Sequence, residues 1–348
     1  MLRNTTPADA RARRPAFTLV ELMVVVAIIV VLAALVLGAI AGLVSNAQQA
    51  ATEDVFRTVD TKLRQHWNYV VTQAKKETPS TGVYILAGKY TTSGQSMNTS
   101  LADERARVIH VKLRLMQAFP ESFAEINNPP FFGVPLGSTT YDLLVDSQGR
   151  RDMTNTATYQ KAIKNYNTAN HKPATESSAC LILALSIARG SQDSVLKPDS
   201  LPANIVDFDQ DGLKDIVDTW GTPIRFKRFA GTVSGSTAIA VELDSLCPSP
   251  KVSTLKNASG AYVYFDPNNK TNPLKLNDPL DLQGTLGQNG WYTSPLTVPM
   301  RQKVESILGF AYTGRYTVPY LQSAGPNQQL DDSDDLYSFR LRVGGHGD

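Results

Sequence analysis

The sequence predicts an α+β fold, in which one long N-terminal helix packs on an antiparallel sheet that carries helical and loop insertions. Three observations carry this expectation. Leu22 to Val44 is a run of 23 residues without one ionisable side chain. At ~1.5 Å per residue it makes roughly 35 Å of helix, enough to cross a hydrocarbon layer of roughly 30 Å. Beyond it, Phe56, Val59, Leu63, Trp67 and Val70 recur every three or four positions. Glu53, Asp54, Arg57, Asp60, Lys62 and Arg64 lie between them, the mark of a helix with one buried face. Farther on, Pro223–Phe229, Thr237–Leu243 and Ala261–Phe265 read as strands, the first and last with period-two alternation.

The first two runs join into one helix of about 60 residues, roughly 90 Å long, whose outer half leans on the domain that follows. Pro79 and the polar run Thr91–Ser96 end it and begin a connection. A second helix opens at Ser100, where Ser100 and Asp103 approximate a capping box, and Pro120 stops it. Residues 109–115 also alternate apolar and basic, which would suit a strand. The segment 127–157, with Pro129, Pro130, Gly133 and Pro135, reads as loop. Residues 158–170 and 174–189 read as helices. The second is apolar from Cys180 to Ile187 and, being too short to span a membrane, serves as a core helix. Residues 266–300 read as an exposed loop, and Leu336–Leu341 as the last strand.

Glu21 stands at the head of the apolar run. A lone carboxylate inside a membrane helix costs on the order of 2.5–3.5 kcal/mol at mid-depth and less toward the edge, so it asks for a positive partner. The string Ala16-Phe17-Thr18-Leu19-Val20-Glu21, preceded by Arg11, Arg13 and Arg14, resembles the class III signal of bacterial type IV pilins and type II secretion pseudopilins. An ordinary signal peptide is shorter and closes on small residues, and a plain anchor does not need Glu21. The resemblance implies a pilin-like fold and cleavage between Ala16 and Phe17 by a prepilin peptidase that also N-methylates Phe17. It further implies pairing of Glu21 with the Phe17 amine of a neighbouring subunit. Ala16 stands where that family usually has Gly. The divisions that follow are a leader at 1–16, a transmembrane helix at 17–44, its amphipathic continuation at 45–76 and an extracytoplasmic domain at 77–348. The arginines of the leader keep the N-terminus cytoplasmic, which makes the chain a single-pass inner-membrane protein.

Two acidic stretches suggest calcium. In Asp207–Asp218 the carboxylates of Asp207, Asp209, Asp211, Asp215 and Asp218 fall at positions 1, 3, 5, 9 and 12 of a twelve-residue loop. Gly212 falls at position 6 and the Leu213 carbonyl at 7, the spacing of an EF-hand-type loop with Asp218 in place of the usual Glu. The competing reading is a solvated acidic turn. Downstream, Asp218-Thr219-Trp220-Gly221-Thr222-Pro223 is similar to a turn of the major pseudopilin, with Thr219 where that family favours Pro. The stretch from Pro319 to Leu341 resembles that protein's calcium segment. Carried over, Ser323, Asn327, Asp332 and Asp335 would be side-chain ligands and Leu321 a carbonyl ligand, with Asn327 standing where Asp is usual.

Composition narrows the rest. Of 34 basic and 32 acidic residues, four and one lie in the first 16, leaving 30 and 31 and a net charge of −1. Such a chain lacks the basic face of a nucleic-acid binder. Cys180, inside an apolar run, reads as a buried thiol or as the partner of Cys247 in a bridge. The four histidines show no zinc spacing, and no nucleophile elbow, P-loop or dinucleotide fingerprint appears, so no enzyme is expected. The expected function is a structural pseudopilin that polymerises with itself and other pseudopilins to help export proteins. Its partners would be a prepilin peptidase, an assembly platform and its ATPase, and the inner membrane. The alternatives are a type IV pilus subunit, a minor filament-tip binding module and a membrane-anchored enzyme.

Overall fold

The computed structural model describes residues 19–89, 100–136, 138–186, 203–228, 280–281, 286, 319–330, 334–338 and 341. The chain divides into two compact units, Met1–Ala50 and Ala51–Asp348. Helix α1 runs Leu19–Ala74. In the first unit its residues Leu19–Val36 are apolar and exposed on all sides, and among the described residues they form the one stretch long and apolar enough to cross a membrane.

The second unit is a mixed α+β body whose core begins with α1 itself. Phe56, Val59 and Leu63 are fully buried, with Trp67, Val70 and Ala74 continuing the stripe. Each large apolar side chain buried this way contributes about 1.5–3 kcal/mol. Helix α2 (Thr81–Leu86) starts where Ser80 Oγ accepts the Val83 amide at 3.3 Å. Helix α3 (Ser100–Ala118) packs beside it, with Arg105 donating to the Ala87 carbonyl at 3.2 Å. Helix α4 (Phe123–Asn127) is capped by Ser122, whose Oγ accepts the Glu125 amide at 3.2 Å. Strands β1 (Val134–Leu136) and β2 (Thr139–Tyr141) form an antiparallel hairpin, and α5 (Thr156–Ile163) follows.

Helix α6 (Glu176–Ser186) is the central wedge, with Ser178 to Ile182, Ala184 and Leu185 all buried. Its Ser178 hydroxyl accepts the Ile216 amide at 2.7 Å and donates to the Ile216 carbonyl at 3.2 Å. It thereby fixes a second hairpin, β3 (Ile205–Val206) with β4 (Asp215–Ile216). The three-stranded antiparallel sheet has β6 (Tyr320–Ser323) between β5 (Arg225–Lys227) and β7 (Leu336–Tyr337). The turn after β6 requires glycine: at Gly325 φ is +64°, and a Cβ would lie 2.5 Å from the Asp334 carbonyl oxygen.

Several expectations are met in modified form. The helix at Ser100 ends at Ala118, and the strand at 223–229 shortens to Arg225–Lys227. The last strand is paired over Leu336–Tyr337 alone. The helix expected at 158–170 stops at Ile163, and beyond it the Asn167 amide turns to the acidic loop, donating to the Asp211 carbonyl at 2.8 Å. The loop expected at 127–157 contains β1 and β2, where Pro135 occupies a three-residue strand of a two-stranded hairpin and no central ladder needs its missing N–H. The strands expected at 237–243 and 261–265 lie outside the described residues. Cys180 is a buried free thiol, which burial pushes well above the ordinary thiol range. Cys247 lies outside the described residues.

Arg228, just past β5, is 6% exposed. Its guanidinium donates to both Glu125 carboxylate oxygens at 2.8 and 3.1 Å and to the Phe119 carbonyl at 2.6 Å. Removing one member of such a pair strands the other, at a cost of about 3–5 kcal/mol. Arg228→Ala is therefore expected to lower unfolding stability by about that much, and Glu125→Gln added to it to recover part of the loss. Denaturant titration of both variants measures this, and a loss under about 1 kcal/mol would show the pair to be dispensable.

Candidate functional site

Glu21 sits in the first turn of α1, with its side chain exposed. There the unsatisfied amides of a helix start favour a carboxylate by about 0.3–1 kcal/mol. Ala16 and Phe17 lie outside the described residues.

The acidic loop closes the β3–β4 hairpin, in which Val206 is registered opposite Asp215. The chain reverses through Gln210 and Gly212, whose φ values are +62° and +95°. This turns backbone amides onto carboxylates. Gly212 N–H donates to Asp207 Oδ2 at 3.0 Å, Leu213 N–H to Asp211 Oδ1 at 2.7 Å, and Asp211 N–H to Asp209 Oδ1 at 3.3 Å. Asp209, Asp211 and Asp215 are 7%, 4% and 1% exposed, so these three carboxylates face inward, while Phe208, Gln210, Gly212 and Lys214 are exposed.

A second segment, 167–176, completes the site. Lys172 N–H and Thr175 Oγ1 donate to Asp209 Oδ2 at 2.8 and 3.0 Å. The His171 ring stacks on Phe123 with centroids 4.8 Å apart and meets Tyr166 edge-on at 4.9 Å. Its Nδ1 lies 2.8 Å from Asp211 Oδ2 and 3.8 Å from Asp209 Oδ2, and its Nε2 lies 3.1 Å from Glu176 Oε1. Glu176, at the start of α6, also accepts the Phe123 amide at 3.0 Å. Among the described residues, His171, Asp209 and Asp211 are the one group of three or more metal-ligating side chains whose ligand atoms converge, all within 4.8 Å of one another.

The electrostatics follow from this crowding. Burial, reinforced by the carboxylates of Asp209, Asp211 and Asp207, pushes Asp215 up to about 7 against the pull of the Phe208 amide. Burial also works upward on Asp209, but the Lys172 amide, the Thr175 hydroxyl and His171 hold it below the ordinary carboxylate value. Burial works downward on His171, and Glu176 and Asp211 outweigh it, raising the imidazole. Asp215 Oδ1 and Asp207 Oδ1 are buried without a hydrogen-bond partner.

The twelve-residue calcium set is thus only partly gathered. Asp207, Asp209, Asp211 and Asp215 share the hairpin end, while Asp218 turns to the next element. One of its carboxylate oxygens accepts the Trp220 and Thr222 amides at 3.0 and 2.8 Å, and the other accepts the Ser323 hydroxyl at 2.6 Å. Three described side chains of the C-terminal set are likewise engaged. Asn327 donates to Asp334 at 2.7 Å, Asp335 accepts Gln322 Nε2 at 2.5 Å, and Ser323 is the hydroxyl that meets Asp218. Asp332 lies outside the described residues. His171 and Glu176 were missing from the sequence expectation, because no fixed spacing links them to the loop they serve.

Residues 11–42 match the family model of the prokaryotic N-terminal methylation motif, which is typical of type IV pilins and pseudopilins. The motif implies processing by a prepilin peptidase and filament assembly. With the apolar start of α1 it is consistent with a single-pass membrane anchor. No curated protein and no solved structure matches the chain significantly.

Because Asp215 holds its proton more tightly folded, at about 7, than at the ordinary 3.8, the fold loses stability as pH climbs between those values. In the presence of chelator, Asp215→Asn is expected to melt a few degrees higher than the parent at pH 8, where the parent carries the ionised group. At pH 5 the gap should be smaller, because the parent has by then lost only part of that stability. Thermal scans at both pH values check this, and an equal difference at the two would count against it.

Proposed function

We propose that this chain is a pseudopilin-like subunit that polymerises into a filament of a type II secretion system. The observation that carries the reading is the apolar stretch Leu19–Val36, exposed on every side and headed by Glu21, within a methylation motif at residues 11–42. An apolar helix left uncovered among the described residues needs lipid before assembly and other helices after it. In the filament, Glu21 selects a neighbour whose newly exposed Phe17 amine neutralises it. The pairing removes the cost of a bare carboxylate near the edge of the span, somewhat less than the roughly 2.5–3.5 kcal/mol of mid-depth, so correctly staggered subunits are favoured. The N-terminus starts on the cytoplasmic side, where peptidase, assembly platform and ATPase act, and the domain after α1 lies outside the inner membrane.

A secretion filament is favoured over a pilus by the Trp220-Gly221 turn and by the Pro319–Leu341 stretch, both similar to the major pseudopilin. The turn's backbone is held by Asp218, and Gln328 Nε2 donates to the Trp220 carbonyl at 3.2 Å, which brings the two similar stretches together.

The mature chain is expected to begin with N-methyl-Phe17, as read by N-terminal mass spectrometry from cells with active peptidase; an intact leader would exclude it. Glu21→Ala is expected to insert normally and to lower filament yield roughly tenfold or more, since each ~1.4 kcal/mol is a factor of ten. Parental yield in sheared-filament assays would remove the proposed role of Glu21.

A further inference from the structure

We propose that His171 Nδ1, Asp209 Oδ2 and Asp211 Oδ2 form a binding site for one divalent transition cation of the zinc class, oriented by Glu176 on the far nitrogen of the imidazole. The site differs from the expected calcium loop. It keeps two of that loop's carboxylates and takes its third ligand from a segment some 40 positions earlier in the chain.

The geometry comes first. Nδ1 stands 2.8 Å from Asp211 Oδ2 and 3.8 Å from Asp209 Oδ2, and one ligand atom from each of the three residues lies within 4.8 Å of the others. Ligand atoms around tetrahedral zinc, with bonds of about 2.0–2.2 Å, are spaced by roughly 3.3–3.6 Å. The triangle therefore needs only small rotations of the carboxylates. Its fourth face is left for water or a further oxygen.

The ligand types choose the metal. Calcium takes oxygen ligands in numbers of about six to eight, whereas imidazole suits zinc and its neighbours. Glu176 Oε1 sits 3.1 Å from Nε2, the carboxylate–histidine–metal relation that fixes the ring's tautomer and raises its basicity. Phe123 and Tyr166 hold the ring plane.

The charge balance points the same way and is independent of that triangle. Asp215, 1% exposed, keeps an oxygen without a hydrogen-bond partner, and so does Asp207 on the same loop. Among the described residues the ion pairs of Asp209 and Asp211 are made with His171 alone. Lys172, next to His171 in sequence, carries its ammonium over the Phe208 ring instead, 5.1 Å from the centroid, and Lys214, within the loop, is exposed. His171 meets Asp209, Asp211 and Glu176 together. A divalent cation that displaces the Nδ1 proton to solvent leaves neutral imidazole as ligand and raises the positive charge of the centre by one. It also fastens the 167–176 segment to the β3–β4 hairpin.

The test uses the full chain in detergent micelles, stripped with chelator and titrated with Zn²⁺ alone, with Ca²⁺ alone, and with Co²⁺ as a spectroscopic stand-in. The expected result is one tightly held Zn²⁺ per chain, visible Co²⁺ bands of low coordination number, and no displacement by millimolar Ca²⁺. His171→Gln should abolish stoichiometric binding, and Glu176→Gln should weaken it about 10–100-fold with unchanged far-ultraviolet circular dichroism. Should His171→Gln fail to fold, the Glu176→Gln affinity and the Co²⁺ spectrum decide. Absence of stoichiometric Zn²⁺, binding indifferent to both substitutions, or equal binding of Ca²⁺ would overturn the site; a closed His171–Asp211 ion pair that needs no metal would give the first of these outcomes.

Discussion

Crowded negative charge is the constraint around which the second unit is arranged. Three carboxylates of one hairpin end, Asp209, Asp211 and Asp215, are drawn into the interior with Asp207 half-buried beside them, and like charges at such distances repel strongly wherever water is thin. The fold answers with backbone amides, the Thr175 hydroxyl and one imidazole, and that imidazole needs aromatic walls and a carboxylate of its own. Helix α6 begins at that carboxylate and holds the hairpin's far strand through Ser178. The position of the central helix and the turning of the acidic loop are thus one problem solved together.

The parts legible in the sequence were those written in local periodicity. The stripe from Phe56 to Val70 repeats every three or four residues and is buried as that spacing demands. The apolar run from Cys180 was long enough to mark a core helix and too short to mark a span. Pro120 and the Ser100 start bracketed α3 because caps and breakers act within one turn.

What was not legible depends on distant partners. Strands of two or three residues carry no alternation to read, so both small hairpins escaped notice. Spacing along Asp207–Asp218 assumes that a loop closes upon itself. Here Asp218 is claimed by Ser323, far along the chain, while His171 arrives from before α6 to take part. Imidazole and carboxylate meet because α6 and β4 are packed together, and no residue count announces that meeting.

Gly325 shows how tightly the far end of the molecule is held. A single methyl group there would drive into the Asp334 backbone, and the Gly325 amide donates to the same Ser323 hydroxyl that reaches Asp218. Drift across generations is therefore narrowed at that position while neighbouring surface side chains wander. In any diverged cousin that keeps this sheet edge, an aligned glycine would survive as a fingerprint after most other likeness had faded.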